Sequence, residues 1–228
     1  MLCFISLELL DTTVSKLASK QAKPTEKVWR EFLHLLNYCN TWPETKLVFK
    51  ASDMILFLDA DASLGSESAF RSRGGGVAWF GKRNDPTFIN GAIDVMSVIL
   101  PTVPASICEA EYASAFLLAQ LAMPFRIQLK DLGYPQDVFP NGSTLLTTDN
   151  QCAEGIATNS TKLKRSRAMD MRYHWLRDRV SLGDYTIKWR SNKESLADFF
   201  TKTHPTKHFL EHRSKFVVYG LRQIPNLP

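Results

Sequence analysis

"FLDADAS", Phe57 to Ser63, ends an otherwise apolar run with two aspartates one residue apart. The aliphatic and aromatic residues leading into it read as a β-strand. A buried strand carries carboxylates only where something offsets their charge, because an unpaired buried ion is costly. Asp59 and Asp61 stand two residues apart and therefore face the same side of such a strand.

Outward from this strand, "GGGVAWFG" (Gly74–Gly81) reads as a second strand opened by a glycine turn, and "FINGAIDVMSVIL" as a third. Short connections make antiparallel pairing of the three the economical arrangement. "ASICEAEYASAFLLAQLAMPFRIQLKDLG" is predicted as a long amphipathic helix, kinked near Pro124 and stopped by Gly133. "STLLTTDNQCAEGIA" reads as a strand running into a helix, "SRAMDMRYHWLRDRVSLG" as a helix and "DYTIKWRS" as a last strand. "ESLADFFTK" and "PTKHFLEHRSKFVVYG" then read as closing helices. The order βββ, α, β, α, α, β, α, α predicts an α/β fold with a mixed sheet and helices packed on it. Ahead of the strands, residues 9–39 read as two helices broken at Pro24, and "NTWPETK" marks a boundary near residues 40–46.

The 228 residues suffice for one well-buried domain plus an appendage. The four cysteines, Cys3, Cys39, Cys108 and Cys152, show no CxxC pair or regular spacing, which excludes a zinc ribbon or disulfide framework and fits a reducing compartment. "MLCFISLELL" carries Glu8, lacks a basic lead and is too short to span a bilayer, so no membrane association is expected. No internal repeat or low-complexity segment is present.

Carboxylates recur at strand ends and helix starts: Asp59, Glu109 and Glu111 early in the long helix, Asp149 in "TTDNQ", and Asp198 in "SLADFF". Strand ends in such sheets face a common crevice, so acids distant in sequence converge there. Converging acids repel each other, and hard divalent cations, Mg²⁺ or Mn²⁺, are the natural partners of an all-carboxylate site.

"FLDADAS", "CEAEYASA", "TTDNQCA" and "KESLADFFTK", in this order and spacing, resemble the ribonuclease H domain of copia-type LTR retrotransposon Pol polyproteins. "SRAMDMRYHWLRDRV" resembles that family's basic helix, and "KPTEKVWREFLHLLNYCN" the connection from its reverse transcriptase. The resemblance implies a ribonuclease H-like fold, a five-stranded mixed sheet with three antiparallel strands followed by two parallel ones, flanked by helices. It divides the chain into a helical connection segment (1–46), a ribonuclease H-like domain (47–203) and a C-terminal helix and tail (204–228).

It implies that Asp59, Glu111, Asp149 and Asp198 hold two ions, Mg²⁺ or Mn²⁺, with Asp61 the alternative to Asp59. Two positions apart on a helix, Glu109 and Glu111 cannot share a face, so Glu109 is left the role of a favourable charge at the helix start. The implied activity is metal-dependent endonucleolytic hydrolysis of the RNA strand in RNA/DNA hybrids, without a small-molecule cofactor. A reverse transcriptase domain is the implied protein partner, and the implied setting is intracellular, a cytoplasmic virus-like particle or the nucleus. No YxDD-type polymerase motif is present, so the chain reads as a separated ribonuclease H with its connection helices. The alternative is a catalytically idle nucleic-acid or protein binding module that keeps the fold.

Asn150 and Gln151 are candidate donors to sugar or base edges, or else caps of the following helix. From residue 162 to 193 basic residues outnumber acidic ones, with Lys162, Lys164, Arg165, Arg167 and Arg172 leading the run. Beside a phosphodiester site, this run reads as a phosphate-tracking surface. Tyr173, Trp175 and Trp189 read as core packing, and His204, His208 and His212, spaced by four, as a solvated helix face rather than a metal face. Two departures from the family stand out: "ASLGSESAFRSRGGG" replaces its tryptophan and acidic loop after the first motif, and "KWRSNKES" lacks the mobile histidine of many cellular ribonucleases H.

Overall fold

The structure, a computed structural model, describes residues 10–134, 136, 139, 142–160 and 174–218. Two helices lead, α1 (Asp11–Ala18) and α2 (Glu26–Thr41), followed by strands β1 (Ile55–Ser63), β2 (Arg73–Gly81) and β3 (Asp94–Ile99). A long helix, α3 (Ile107–Asp131), precedes β4 (Thr144–Thr148), α4 (Gln151–Ala157), α5 (His174–Ser181), β5 (Tyr185–Trp189), α6 (Asp198–Thr201) and α7 (Thr206–Arg213). The strands form one sheet in the order β3-β2-β1-β4-β5. β1 and β2 pair antiparallel, as do β2 and β3, whereas β4 runs parallel to both β1 and β5. This is the ribonuclease H-like arrangement.

β1 begins only at Ile55, although the apolar pattern resumes at Leu47. Ile55 pairs with Gly81, the last residue of β2, so the residues before it have no ladder partner. Lys50 is held instead by Asn90, whose side chain meets both its N–H and its carbonyl. α3 starts at Ser106, whose hydroxyl accepts from Glu109 N at 3.2 Å, while the Glu109 carboxylate accepts from Ala105 N at 2.8 Å. This reciprocal capping consumes Glu109 at the helix start. The helix continues through Pro124 and stops beside Gly133, whose φ of +78° is the left-handed conformation glycine tolerates.

Alternation along the strands buries both sheet faces. Leu56, Leu58, Leu146 and Ile187 pack against the alanine-rich face of α3 and against α4 and α5. Phe57, Val77 and Trp79 point the other way, toward Phe199, Phe200 and Phe216. Each of these large side chains contributes about 1.5–3 kcal/mol when fully buried.

The leading helices and the C-terminal residues meet on that second face. Thr12 Oγ1 donates to the Phe200 carbonyl at 2.9 Å, and Lys46 bridges Val218. Buried Arg213 donates to Tyr38 Oη at 2.6 Å and lies over the Trp42 ring. Thr25 caps α2, yet Trp29, Phe32, Leu33 and Leu36 on its apolar stripe stay exposed. Among the described residues no helix is long and apolar enough to cross a membrane.

Candidate active site

Parallel pairing of β1 with β4 sets which carboxylates meet. Asp59 lies opposite Thr147 and Ala60 opposite Thr148. Continuing that register by one residue brings Asp149 level with Asp61, not Asp59. Carboxylate oxygens of Asp61, Glu111 and Asp149 indeed lie within 4.8 Å of one another, the one such group of potential metal ligands among the described residues. Glu111 reaches it from the first turns of α3, where its Oε1 accepts from Ala62 N at 3.0 Å.

Asp61, the alternative to Asp59 in the sequence reading, therefore stands in this cluster, and Asp59 does not. Asp59 is buried with its carboxylate already satisfied. Its Oδ1 accepts from Thr147 Oγ1, and its Oδ2 from Leu196 N at 2.5 Å, Ala197 N at 3.1 Å and Ser195 Oγ at 3.3 Å. The Arg190 guanidinium stands 4.0 Å away. Asp59 thus clasps the segment that leads into α6, and so positions Asp198, the first residue of that helix. Asp198 pairs with Lys202 one turn later, and its charge acts on both Asp61 and Asp149.

α6 approaches this closely because β2 offers glycine. Gly75 lies opposite Asp61, and a Cβ there would meet Thr201 Cγ2 at 2.5 Å and the Ala197 carbonyl at 3.0 Å. Thr201 Oγ1 in turn donates to Asp61 Oδ2 at 2.7 Å.

Electrostatically the cluster is strained without a counter-ion. Burial, then the charges of Asp61 and Asp149, push Glu111 up to about 10. Burial also raises Asp61 to about 7, with Asp198 and Asp149 adding to it against the Thr201 hydroxyl and Lys202. Asp149 shifts the same way, by burial first and then by Asp198 and Asp59. Glu111 Oε2 is buried with no hydrogen-bond partner. An oxygen-only donor set, mutual repulsion and an orphaned carboxylate oxygen together fit a hard divalent cation.

Lys202 and Trp189 were not picked out from the sequence as site residues. Lys202 sits four residues after Asp198 in "LADFFTK", a spacing that signals an ion pair on a helix. Trp189 is not core but 45% exposed, and its indole N–H donates to the Asp149 carbonyl at 2.9 Å. Trp175 does pack inward, edge-on to Phe116. Asn150 caps α4, accepting from Cys152 N and Ala153 N at 2.9 and 3.2 Å, and Gln151 is exposed beside it.

Lys162, Lys164, Arg165, Arg167, Arg172 and Tyr173 lie outside the described residues. Further along the basic run, Arg177 donates to Asn159 at 2.7 Å and Arg179 pairs with Asp184 at 3.3 Å. His204, His208 and His212 are half-buried and stack ring on ring, with centroids 4.6 and 4.1 Å apart, and His204 lies over Phe199. They form a packed column rather than a solvated face. Burial, followed by neighbouring cationic groups, lowers His204 and His212.

No protein-family model matches the chain. Over 186 residues, 82% of its length, it is 28% identical to the retrovirus-related Pol polyprotein from transposon TNT 1-94 of Nicotiana tabacum, and it spans 13% of that relative. Among solved structures, LC11-RNase H1 isolated from compost is 11% identical, with 64% of this chain and 92% of that one covered at a TM-score of 0.47. The N-terminal RNase H domain of rv2228c from Mycobacterium tuberculosis is 13% identical, with 71% and 97% covered at a TM-score of 0.45. The chain has the strand order of a ribonuclease H-like fold and is similar in sequence to a retrotransposon Pol polyprotein.

Proposed function

We propose that this domain is a metal-dependent endonuclease that hydrolyses the RNA strand of RNA/DNA hybrids, with Asp61, Glu111, Asp149 and Asp198 holding two divalent ions, Mg²⁺ or Mn²⁺. The observation that carries this reading is the convergence of Asp61, Glu111 and Asp149 at the shared end of β1 and β4, with Asp198 brought alongside by α6. When bound, such ions lower the pKa of an attacking water and offset charge on the leaving oxygen.

The protein's own contribution is placement and charge. Asp61 and Asp149 present carboxylates from adjacent strands, and Glu111 closes the site from α3 with Oε1 fixed by Ala62 N. The Asp59 clasp sets the position of Asp198 without touching substrate. Lys202 offsets part of the site's negative charge through its ion pair with Asp198. Attack of water on the phosphodiester, with departure of the leaving oxygen, requires no protein nucleophile. Beside the site, Trp189 presents an exposed ring suited to a sugar or base.

RNA selectivity comes from the 2′-OH and from the wide minor groove of an A-like duplex. The 28% identity to a Pol polyprotein supports this substrate class and makes a reverse transcriptase domain the natural partner. The test is cleavage of end-labelled RNA annealed to DNA, by the purified chain with Mg²⁺, beside a DNA/DNA duplex. RNA cut only in the hybrid supports the reading; hybrid bound but uncut with either Mg²⁺ or Mn²⁺ makes the domain a binding module.

A further inference from the structure

A cavity of about 530 Å³ lies where the leading helices meet α6 and α7. Leu35, Tyr38 and Trp42 wall it on the α2 side, Phe199 and Phe209 on the other, and Lys202 joins the lining just after α6. The Tyr38 and Phe209 rings meet edge-on, with centroids 5.6 Å apart. Sites for small ligands have about this character: about 300–1,000 Å³, aromatic and aliphatic walls, and a few polar groups that fix orientation. The chemistry proposed above leaves this cavity without a role.

Charge decides what the cavity accepts. Apart from histidines, its lining carries two charged residues, Glu31 and Lys202. Glu31 is held by Lys20 at 3.5 Å. Burial, followed by His208, lowers His204, so that ring stays uncharged at neutral pH. Lys202 is half-exposed, and its ion pair with Asp198 sets it between the cavity and the acidic cluster.

We propose that this cavity binds a planar aromatic anion, a carboxylate or sulfonate, whose rings pack among Tyr38, Trp42, Phe199 and Phe209 and whose charge takes Lys202 from Asp198. Aromatic walls favour flat rings through edge-on and offset stacking. The lysine favours an anion over a neutral ligand of the same shape, because a charged hydrogen bond is the stronger kind. Once turned to the ligand, Lys202 no longer offsets the charge of Asp198, and the acidic cluster holds a divalent cation more tightly. Linkage makes the effect reciprocal: a cation on the cluster frees Lys202 and tightens the ligand by the same factor. That coupling rests on the metal-dependent reading, whereas the ligand site does not.

The full chain is titrated with anilinonaphthalene sulfonate, whose emission rises in an apolar site, and with N-phenylnaphthylamine, which keeps the rings and lacks the charge. The expected result is saturable binding of one sulfonate probe per chain. Asn37→Trp, which fills the cavity from an exposed helical position, abolishes it. Lys202→Met weakens the sulfonate about 10-fold and leaves the uncharged probe unchanged. Leu33→Gln, on the exposed apolar stripe of α2, changes neither, which separates the cavity from that stripe. Mg²⁺ tightens the sulfonate about 5-fold or more in the parent and has no such effect in Lys202→Met. Binding that survives Asn37→Trp, a Lys202→Met that weakens both probes alike, or Mg²⁺ that binds yet leaves the sulfonate's affinity unchanged overturns the inference. If calorimetry detects no Mg²⁺ binding to the chain, the metal-dependent reading fails, and the two probes still decide whether the cavity takes an anion.

Discussion

Replacing Asp61 by asparagine should make the metal-free protein more stable. Asp61 is 3% exposed, and burial, with Asp198 and Asp149, raises its carboxyl from 3.8 to about 7. Between those values the native state holds a proton that the unfolded chain releases, so this group's contribution is fully present below 3.8 and is lost as pH rises through about 7. At about pH 8 the difference corresponds to about 4 kcal/mol, shared with Glu111 and Asp149, which titrate with it. The asparagine side chain would keep the shape and accept from Thr201 Oγ1 without a charge. Urea unfolding in a chelator should show the variant about 2–4 kcal/mol more stable near pH 8, and within about 1 kcal/mol of the parent near pH 4. Mg²⁺ near pH 8 should then stabilise the parent and not the variant, because only the parent's site binds it. A variant no more stable than the parent near pH 8, or an equal gain at both pH values, would refute the reasoning.

Asp59→Asn, by contrast, replaces the charged acceptor of the Leu196 and Ala197 N–H groups with a neutral one and should cost about 1–3 kcal/mol by urea unfolding. Gly75→Ala drives a methyl into Thr201 and the Ala197 carbonyl, and should cost about 1–3 kcal/mol while lowering hybrid cleavage through displacement of α6. Lys202→Met removes the cation beside Asp198, so the shift in melting temperature on adding Mg²⁺ should exceed the parent's, as read by thermal scanning. Mg²⁺ should bind the parent more tightly as pH rises and Asp61, at about 7 in the metal-free protein, loses its proton, and a half-saturating Mg²⁺ concentration that stays constant between about pH 5 and 8 would contradict that.

The order of strands and helices along the chain, the long helix and the four acidic motifs were legible because each rests on local signals: period, caps, turn residues and motif spacing. The choice between Asp59 and Asp61 was not. Both share one face of β1, and only the pairing of β1 with β4, which places Thr147 beside Asp59, decides between them. A parallel register is a long-range property that neither strand carries alone. Trp189 was misread as core for a related reason, since β5 is an edge strand whose last residue lies beyond the packed helices. The histidine spacing of four was read, but its burial depends on Phe199, which α6 brings beneath the column.

The most direct test compares single-turnover cleavage of the RNA strand of a hybrid, in Mg²⁺, by the parent, Asp61→Asn and Asp59→Asn at a temperature where all three are folded. Loss of a residue that merely supports a metal ligand typically costs 10–100-fold, so loss of a ligand should cost more than about 100-fold. The account predicts that fall for Asp61→Asn, with Asp59→Asn still cutting; cleavage surviving in Asp61→Asn and vanishing in Asp59→Asn would contradict it.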